Sequence, residues 1–220
     1  MISLPDYISE SKFFTIWESD SQIVNEYMIQ RTATKQVISL ASQFKSLAIA
    51  GPRQSGKTTL AKYVFKTKPY VSLENPDTRQ FASNDPRGFL DQYPKGAELD
   101  EIQRAPHLFS YLQQILDDSK SPGQFILTGS NNFLLQKNNS QSLAGRIAYL
   151  FLLPFLLMEL AETEQMPAGI NEALFRGGYP AVYDQPVEPV KWYPNYISTY
   201  IERDVCQRKT SATWGLLKEY

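Results

Sequence analysis

Gly51-Pro52-Arg53-Gln54-Ser55-Gly56-Lys57-Thr58 places a glycine, four free positions, and then glycine, lysine and threonine in a row. This is the spacing of a phosphate-binding loop, and each fixed position has a physical task. The glycines let the backbone turn tightly so that its N–H groups face an anion, and a helix that follows aims its positive N-terminal end at the same charge. Lys57 then reaches the β and γ phosphates of a nucleotide, and the Thr58 hydroxyl ligates magnesium. Pro52, Arg53, Gln54, Ser55 and Thr59 complete the backbone around the phosphates. A chance glycine-rich turn can satisfy the same pattern, so its surroundings decide. Leu47-Ala48-Ile49-Ala50 is a short apolar run ended by glycine, the signature of a parallel strand covered on both faces. Residues 57–66 carry Leu60, Ala61 and Val64 on one face of a helix. Strand, loop and helix in that order are the setting in which the motif acts.

Working outward, Val37, Leu40, Ala41 and Phe44 recur at helical spacing and predict a lead-in helix over 34–44. Further strands are expected at 70–73, 96–100, 125–127 and 147–153. Asp85-Pro86 opens a helix with a capping aspartate and a first-turn proline. Pro106 opens another, whose Leu108, Leu112, Ile115 and Leu116 form a stripe that stops at the turn-rich 118–123. A short helix is expected near 156–161. Alternation of this kind predicts an α/β fold of three layers, a parallel sheet between two layers of helices. Three regions follow: an N-terminal arm over 1–30, a nucleotide-binding domain over 31–163, and a partial, mainly helical C-terminal segment over 164–220. The last is interrupted by Pro167, Gly169, Gly177, Gly178, Pro180, Pro186, Pro189 and Pro194.

Two hundred and twenty residues suffice for one full core and the start of a second domain. A formal net charge of -1 supplies no general pull toward nucleic acid or anionic lipid. Cys206 is the only cysteine, so no internal disulfide can form, and the cytoplasm is the default location. The opening MISLPDYISE lacks the pattern of a secretory signal. The longest apolar run, 147–160, contains Pro154 and is shorter than the roughly 20 residues of a membrane span, so it reads as core.

A nucleotide hydrolase also needs an acid for the magnesium shell and a group that orients or deprotonates water. Asp100-Glu101, at the end of an expected strand, is assigned to these tasks: Asp100 to magnesium, Glu101 to water. A solvated acidic pair in a loop is the plainer alternative. Glu98 sits inside the same strand, where a buried carboxylate needs either a wet face or a partner. The acid pair favours ATP, and no Asn-Lys-x-Asp guanine-reading motif occurs. Ser130 and Asn131 follow the fourth strand and either sense the γ phosphate or cap the next helix. Arg146, just before the fifth strand, either supplies positive charge to the transition state or forms a surface ion pair. The cluster Trp192, Tyr193, Tyr196 and Tyr200 reads as helix core rather than as a base-stacking surface.

GPRQSGKTTL, YVSLENPDTRQFA, LDEIQRAP, QFILTGSNN, SLAGRIAYLFLLPF and LFRGGYP, in this order, resemble the bacterial and archaeal AAA-superfamily ATPases that join a P-loop module to a C-terminal domain of unknown function. The likeness runs over about 28–205. It implies a sheet ordered five, one, four, three, two, supports the roles of Lys57, Thr58, Asp100 and Glu101, and strengthens Arg146 as a transition-state group. It departs at Glu98, where an apolar residue is usual, and at 206–220, which reads unlike the expected continuation and implies a truncated, frameshifted or degenerate product. The expected activity is magnesium-dependent ATP hydrolysis coupled to the C-terminal domain or a partner, with a homo-oligomer as one possible assembly. The alternatives are a nucleotide-gated interaction module with negligible turnover and an ATPase serving DNA or RNA, the second disfavoured by charge.

Overall fold

The computed structural model describes residues 28–129, 143, 145–185 and 187–200. Most of the expected N-terminal arm, together with Ser130, Asn131 and Cys206, lies outside the described residues. The first strand, β1 (Ser46–Ala50), is buried at all five positions and pairs in parallel with two neighbours. In chain order the elements before the C-terminal segment are α1 (Thr34–Gln43), β1, α2 (Lys57–Val64), β2 (Tyr70–Ser72), α3 (Pro76–Asn84), α4 (Pro86–Asp91), β3 (Glu98–Asp100), a 3-10 turn (Ile102–Arg104), α5 (Leu108–Asp118), β4 (Phe125–Gly129) and β5 (Ile147–Phe151). The sheet order is β2-β3-β4-β1-β5, which is the expected order read from the other side. Every pairing is parallel, so the C-terminal ends of all five strands share one edge.

Side-chain alternation along β1 divides the core into two. Leu47 and Ile49 join Val37 and Ala41 of α1 and Leu60 and Ala61 of α2. Ala48 and Ala50 face the other way, into a larger cluster with Phe89 and Leu90 of α4 and Leu108, Phe109, Leu112 and Leu116 of α5. The central sheet therefore has helices on both faces, as the apolar run at 47–50 requires.

Boundaries moved where pairing ran out. β5 stops at Phe151, short of the expected 153, because β1 turns into the loop at Gly51; the Leu152 N–H still donates to Ala50 O at 2.7 Å, the last rung available. α3 was not anticipated, although its start is legible: the Asn75 carboxamide oxygen accepts the N–H groups of Asp77 (2.9 Å) and Thr78 (3.2 Å), with Pro76 in the first turn. Asp85 caps α4 as read, accepting from Gly88 N–H at 2.9 Å.

The C-terminal segment holds α6 (Leu157–Leu160), α7 (Ile170–Arg176), α8 (Ala181–Asp184) and α9 (Pro189–Tyr200). Pro194 does not interrupt the chain as expected but lies within α9. It removes one main-chain donor, and rings stack along the same helix: Trp192 on Tyr196 at 4.8 Å and Tyr196 on Tyr200 at 5.7 Å. No residue of α9 is fully buried, so the aromatic cluster is not the helix core expected for it. Its rings pack on one another and on Tyr179.

Candidate functional site

The loop after β1 is shaped by what its glycines exclude. Gly51 leaves the strand at φ 152°, and a Cβ there would stand 2.1 Å from the Leu152 carbonyl oxygen. Gly56 enters α2 in the left-handed conformation at φ 88°, and Gln54 between them also has a positive φ of 57°. Three carbonyls of the loop are held by side-chain donors. Lys57 Nζ donates to Pro52 O at 2.7 Å, the Tyr196 hydroxyl to Arg53 O at 3.2 Å, and Arg31 Nη1 to Ser55 O at 2.9 Å. Ser55 is fully buried, and its hydroxyl has no partner among the described residues.

At the end of β3, Asp100 collects three hydroxyl groups. Thr58 Oγ1 donates to Oδ1 at 2.9 Å, the Tyr70 hydroxyl to Oδ2 at 2.9 Å, and Thr128 Oγ1 also donates to Oδ1. The contact between Thr58 and Asp100 joins the two residues read from sequence as magnesium ligands, 42 positions apart in the chain. Burial and the neighbouring Asp100 push the Tyr70 phenol up to about 12, which keeps it a neutral donor. Glu101 turns sharply out of the strand in the left-handed region, φ 56° and ψ 43°, uncommon for a residue with a side chain. Its carboxylate accepts from the Gln103 amide. Burial and Asp100 push the Glu101 carboxyl above its usual range, with Lys57 and Arg53 pulling the other way.

Lys57 is the electrostatic centre. Burial lowers its ammonium to about 8, against the attraction of Glu101 and Asp100. A buried cation with one carbonyl partner gains from an anion brought beside it. The loop opens into a cavity of about 780 Å3, walled by Arg53, Gln54, Gly56, Lys57, Thr58, Thr59 and Glu101. Of the remaining sequence-read positions, Gly51, Pro52 and Ser55 belong to the loop itself, and Asp100 joins the cavity wall through Thr58. The same cavity is walled by Glu74 and by Tyr196, Thr199 and Tyr200 of α9, none of which was expected there. The spacing of Trp192, Tyr196 and Tyr200 marks one helix face, which is the signal that was present for them.

Arg31 is a second residue that escaped sequence reasoning. Its guanidinium bonds both Glu159 oxygens at 3.2 Å as well as the loop carbonyl of Ser55, so residues before and after the sheet are tied to the loop. Arg146 has the opposite placement from the cavity. Its carbonyl accepts from Ser46 N–H at the start of β1, and its side chain grips Asp117, Nη2 to Oδ2 at 3.0 Å. The surface ion pair, one of the two readings, is thus formed, at the edge of the sheet away from the loop by the length of β1, roughly 15 Å.

Glu98 is 1 % exposed, and its Oε1 has no hydrogen-bond partner among the described residues. Of the two arrangements left open for it, a wet face is excluded, and a cation stands nearby: Lys62, whose ammonium lies over the Tyr70 ring at 3.4 Å. Burial and Asp100 raise the Glu98 carboxyl to about 7, with Lys62 working against them. Below its ordinary value near 4.5 the folded and unfolded chains are both protonated; between 4.5 and 7 only the folded chain holds the proton, so stability falls as pH rises through that window. Glu98→Gln is therefore expected to melt at the same temperature as the parent at pH 4.5, and roughly 2–6 °C higher at pH 8. Thermal unfolding at the two pH values checks this, and equal melting temperatures at pH 8 would contradict it.

A phosphate loop between the first strand and first following helix of a parallel sheet, with an acid pair at the end of β3, one strand removed from β1 across β4, defines a nucleotide-binding domain of the P-loop ATPase class. Comparison with known proteins agrees: the AAA domain family matches residues 43–161, and a domain of unknown function (DUF8612) matches residues 168–218. The chain belongs to the AAA domain family. The uncharacterized proteins Rv2008c of Mycobacterium tuberculosis (strain ATCC 25618 / H37Rv) and Mb2031c of Mycobacterium bovis (strain ATCC BAA-935 / AF2122/97) are each 34% identical to it over 187 residues, covering 78% of this chain. The chain spans 40% of the length of these relatives. Among solved structures, the Walker-type ATPase PABY2304 of Pyrococcus abyssi is similar in fold, with a TM-score of 0.51 and 14% identity over 83% of this chain and 75% of that one. Among the described residues, no helix is long and apolar enough to cross a membrane.

Proposed function

We propose that this chain is a magnesium-dependent ATPase in which the state of the nucleotide is coupled to the C-terminal segment. The observation that carries the reading is the convergence of Lys57, Thr58, Asp100 and Glu101 from two strand ends on one cavity edge. The residues fit the group they would take. A loop with no room for a Cβ at Gly51, a buried unpartnered Ser55 hydroxyl and a buried ammonium together suit a polyphosphate. Thr58 and Asp100 offer hard oxygen atoms that would hold a magnesium ion, and such an ion would supply positive charge against the phosphates.

The chain's own groups then divide the work. Lys57 exchanges the Pro52 carbonyl for phosphate oxygens. Glu101, its carboxyl raised by burial and by Asp100 and so made a stronger base, orients the attacking water and accepts its proton as the bond to the leaving ADP breaks. Ser130 and Asn131 stand in this scheme as γ-phosphate contacts following β4. Arg146 lies too far from its own loop to act there, so its charge serves a neighbouring copy in a homo-oligomer, after exchanging Asp117 for phosphate. Phosphate release per molecule is then expected to rise with protein concentration in the parent and to stay low and flat in Arg146→Ala. A parent rate that does not change on dilution across the micromolar range removes the role of a neighbouring copy. The cytoplasm remains the proposed compartment.

A further inference from the structure

α9 lies in the part of the chain matched by the domain of unknown function, yet its last turns wall the phosphate cavity. Tyr196 is fixed on three sides. Its ring is stacked between Trp192 (4.8 Å, planes 13° apart) and Tyr200 (5.7 Å, 9°), its hydroxyl lies 3.3 Å from that of Tyr179, and the same hydroxyl donates to Arg53 O in the loop. Burial and the Tyr179 hydroxyl push the Tyr196 phenol far above its ordinary range, so it remains a neutral donor. Thr199 is committed to its own helix, donating to Asn195 O at 2.8 Å. The Tyr200 hydroxyl makes no hydrogen bond within the described residues, and Tyr200 lines the same cavity as Lys57, Thr58 and Glu101.

That placement selects one end of the ligand. On the ATPase reading Glu101 marks where water attacks and Lys57 where the outer phosphates lie, and α9 shares the cavity with both, which points to the terminal phosphate as its partner. A phenol is well suited to this position, because it donates to an anion without adding charge. We propose that the Tyr200 hydroxyl binds the terminal phosphate of a nucleoside triphosphate, and that Tyr196 acts as the positioning residue that clamps α9 to the loop through Arg53. The C-terminal segment thereby distinguishes ATP from ADP. The inference rests on the reading of the cavity as an ATP site and names the contact through which the segment reads it.

Calorimetric titration of the full chain with magnesium and ATP or ADP separates the possibilities. Tyr200→Phe is expected to weaken ATP about tenfold, the worth of one hydrogen bond to a charged group, and to leave ADP within about twofold. Tyr196→Phe keeps the ring stack but releases the loop, and is expected to lower the preference for ATP over ADP in the same direction. Unchanged ATP and ADP affinities in Tyr200→Phe overturn the proposal. So does a Tyr200→Phe that matches the parent while Tyr200→Ala weakens both nucleotides equally, since that pattern belongs to a base stacked on the ring. Absence of heat with ATP in the parent would instead defeat the underlying ATP site, a different failure with a different signature.

Discussion

Lys57→Ala is expected to lower steady phosphate release by about 10²–10³-fold, the usual cost of removing one preorganised charge from a phosphoryl-transfer site. The expectation follows from what surrounds the ammonium. Lys57 is buried, its charge is disfavoured enough to bring it to about 8, and its hydrogen bond goes to Pro52 O within the loop. Such a group is poorly satisfied without an anion, and the carboxylates of Glu101 and Asp100 only partly compensate. Removing it leaves Asp100 and Glu101 facing incoming phosphates with Arg53 as the remaining cation of the loop, so binding falls together with turnover. Equal phosphate release from parent and variant would remove Lys57 from the site.

Glu101→Gln separates chemistry from binding. The glutamine is isosteric and keeps a hydrogen-bond acceptor for Gln103, but it cannot take a proton from water. Turnover is expected to fall about 10²–10⁴-fold while ATP affinity is preserved. The pH dependence has a definite sign. Burial and Asp100 raise the carboxyl of Glu101, and the base form is the ionised one, so the parent should lose activity on acidification at a pH above the ordinary carboxylate range. That limb should disappear in the variant's residual rate. A variant with full turnover, or one that has lost ATP binding, would show that Glu101 does something other than activate water.

How much of this was legible in the sequence depends on whether the deciding interaction is local. The loop at 51–58 and its strand and helix were readable because glycine spacing and apolar periodicity are local properties, and β1 and α2 formed where they were expected. Asp100 was readable because a parallel sheet brings strand ends to one edge, which is a property of topology. Thr128, by contrast, lies within β4, just past the expected strand end at 127, and donates to Asp100; nothing local predicts a contact across 28 positions. The same holds for Arg31 and Glu159, separated by 128 positions. Tyr196 was seen as a packing residue because an aromatic stripe on a helix normally is one. Only the docking of α9 beside the loop reveals its bond to Arg53. Arg146 carried two readings, a transition-state charge and a surface ion pair, and the register of β1 with β5 places it at the start of the strands, where it pairs with Asp117.

Calorimetric titration of the folded chain with ATP and magnesium tests the central claim most directly. The account predicts saturable heat at one site per chain, weakened when magnesium is chelated because Thr58 and Asp100 then hold no ion between protein and phosphates. A protein that unfolds cooperatively yet shows no heat with ATP and magnesium would contradict it.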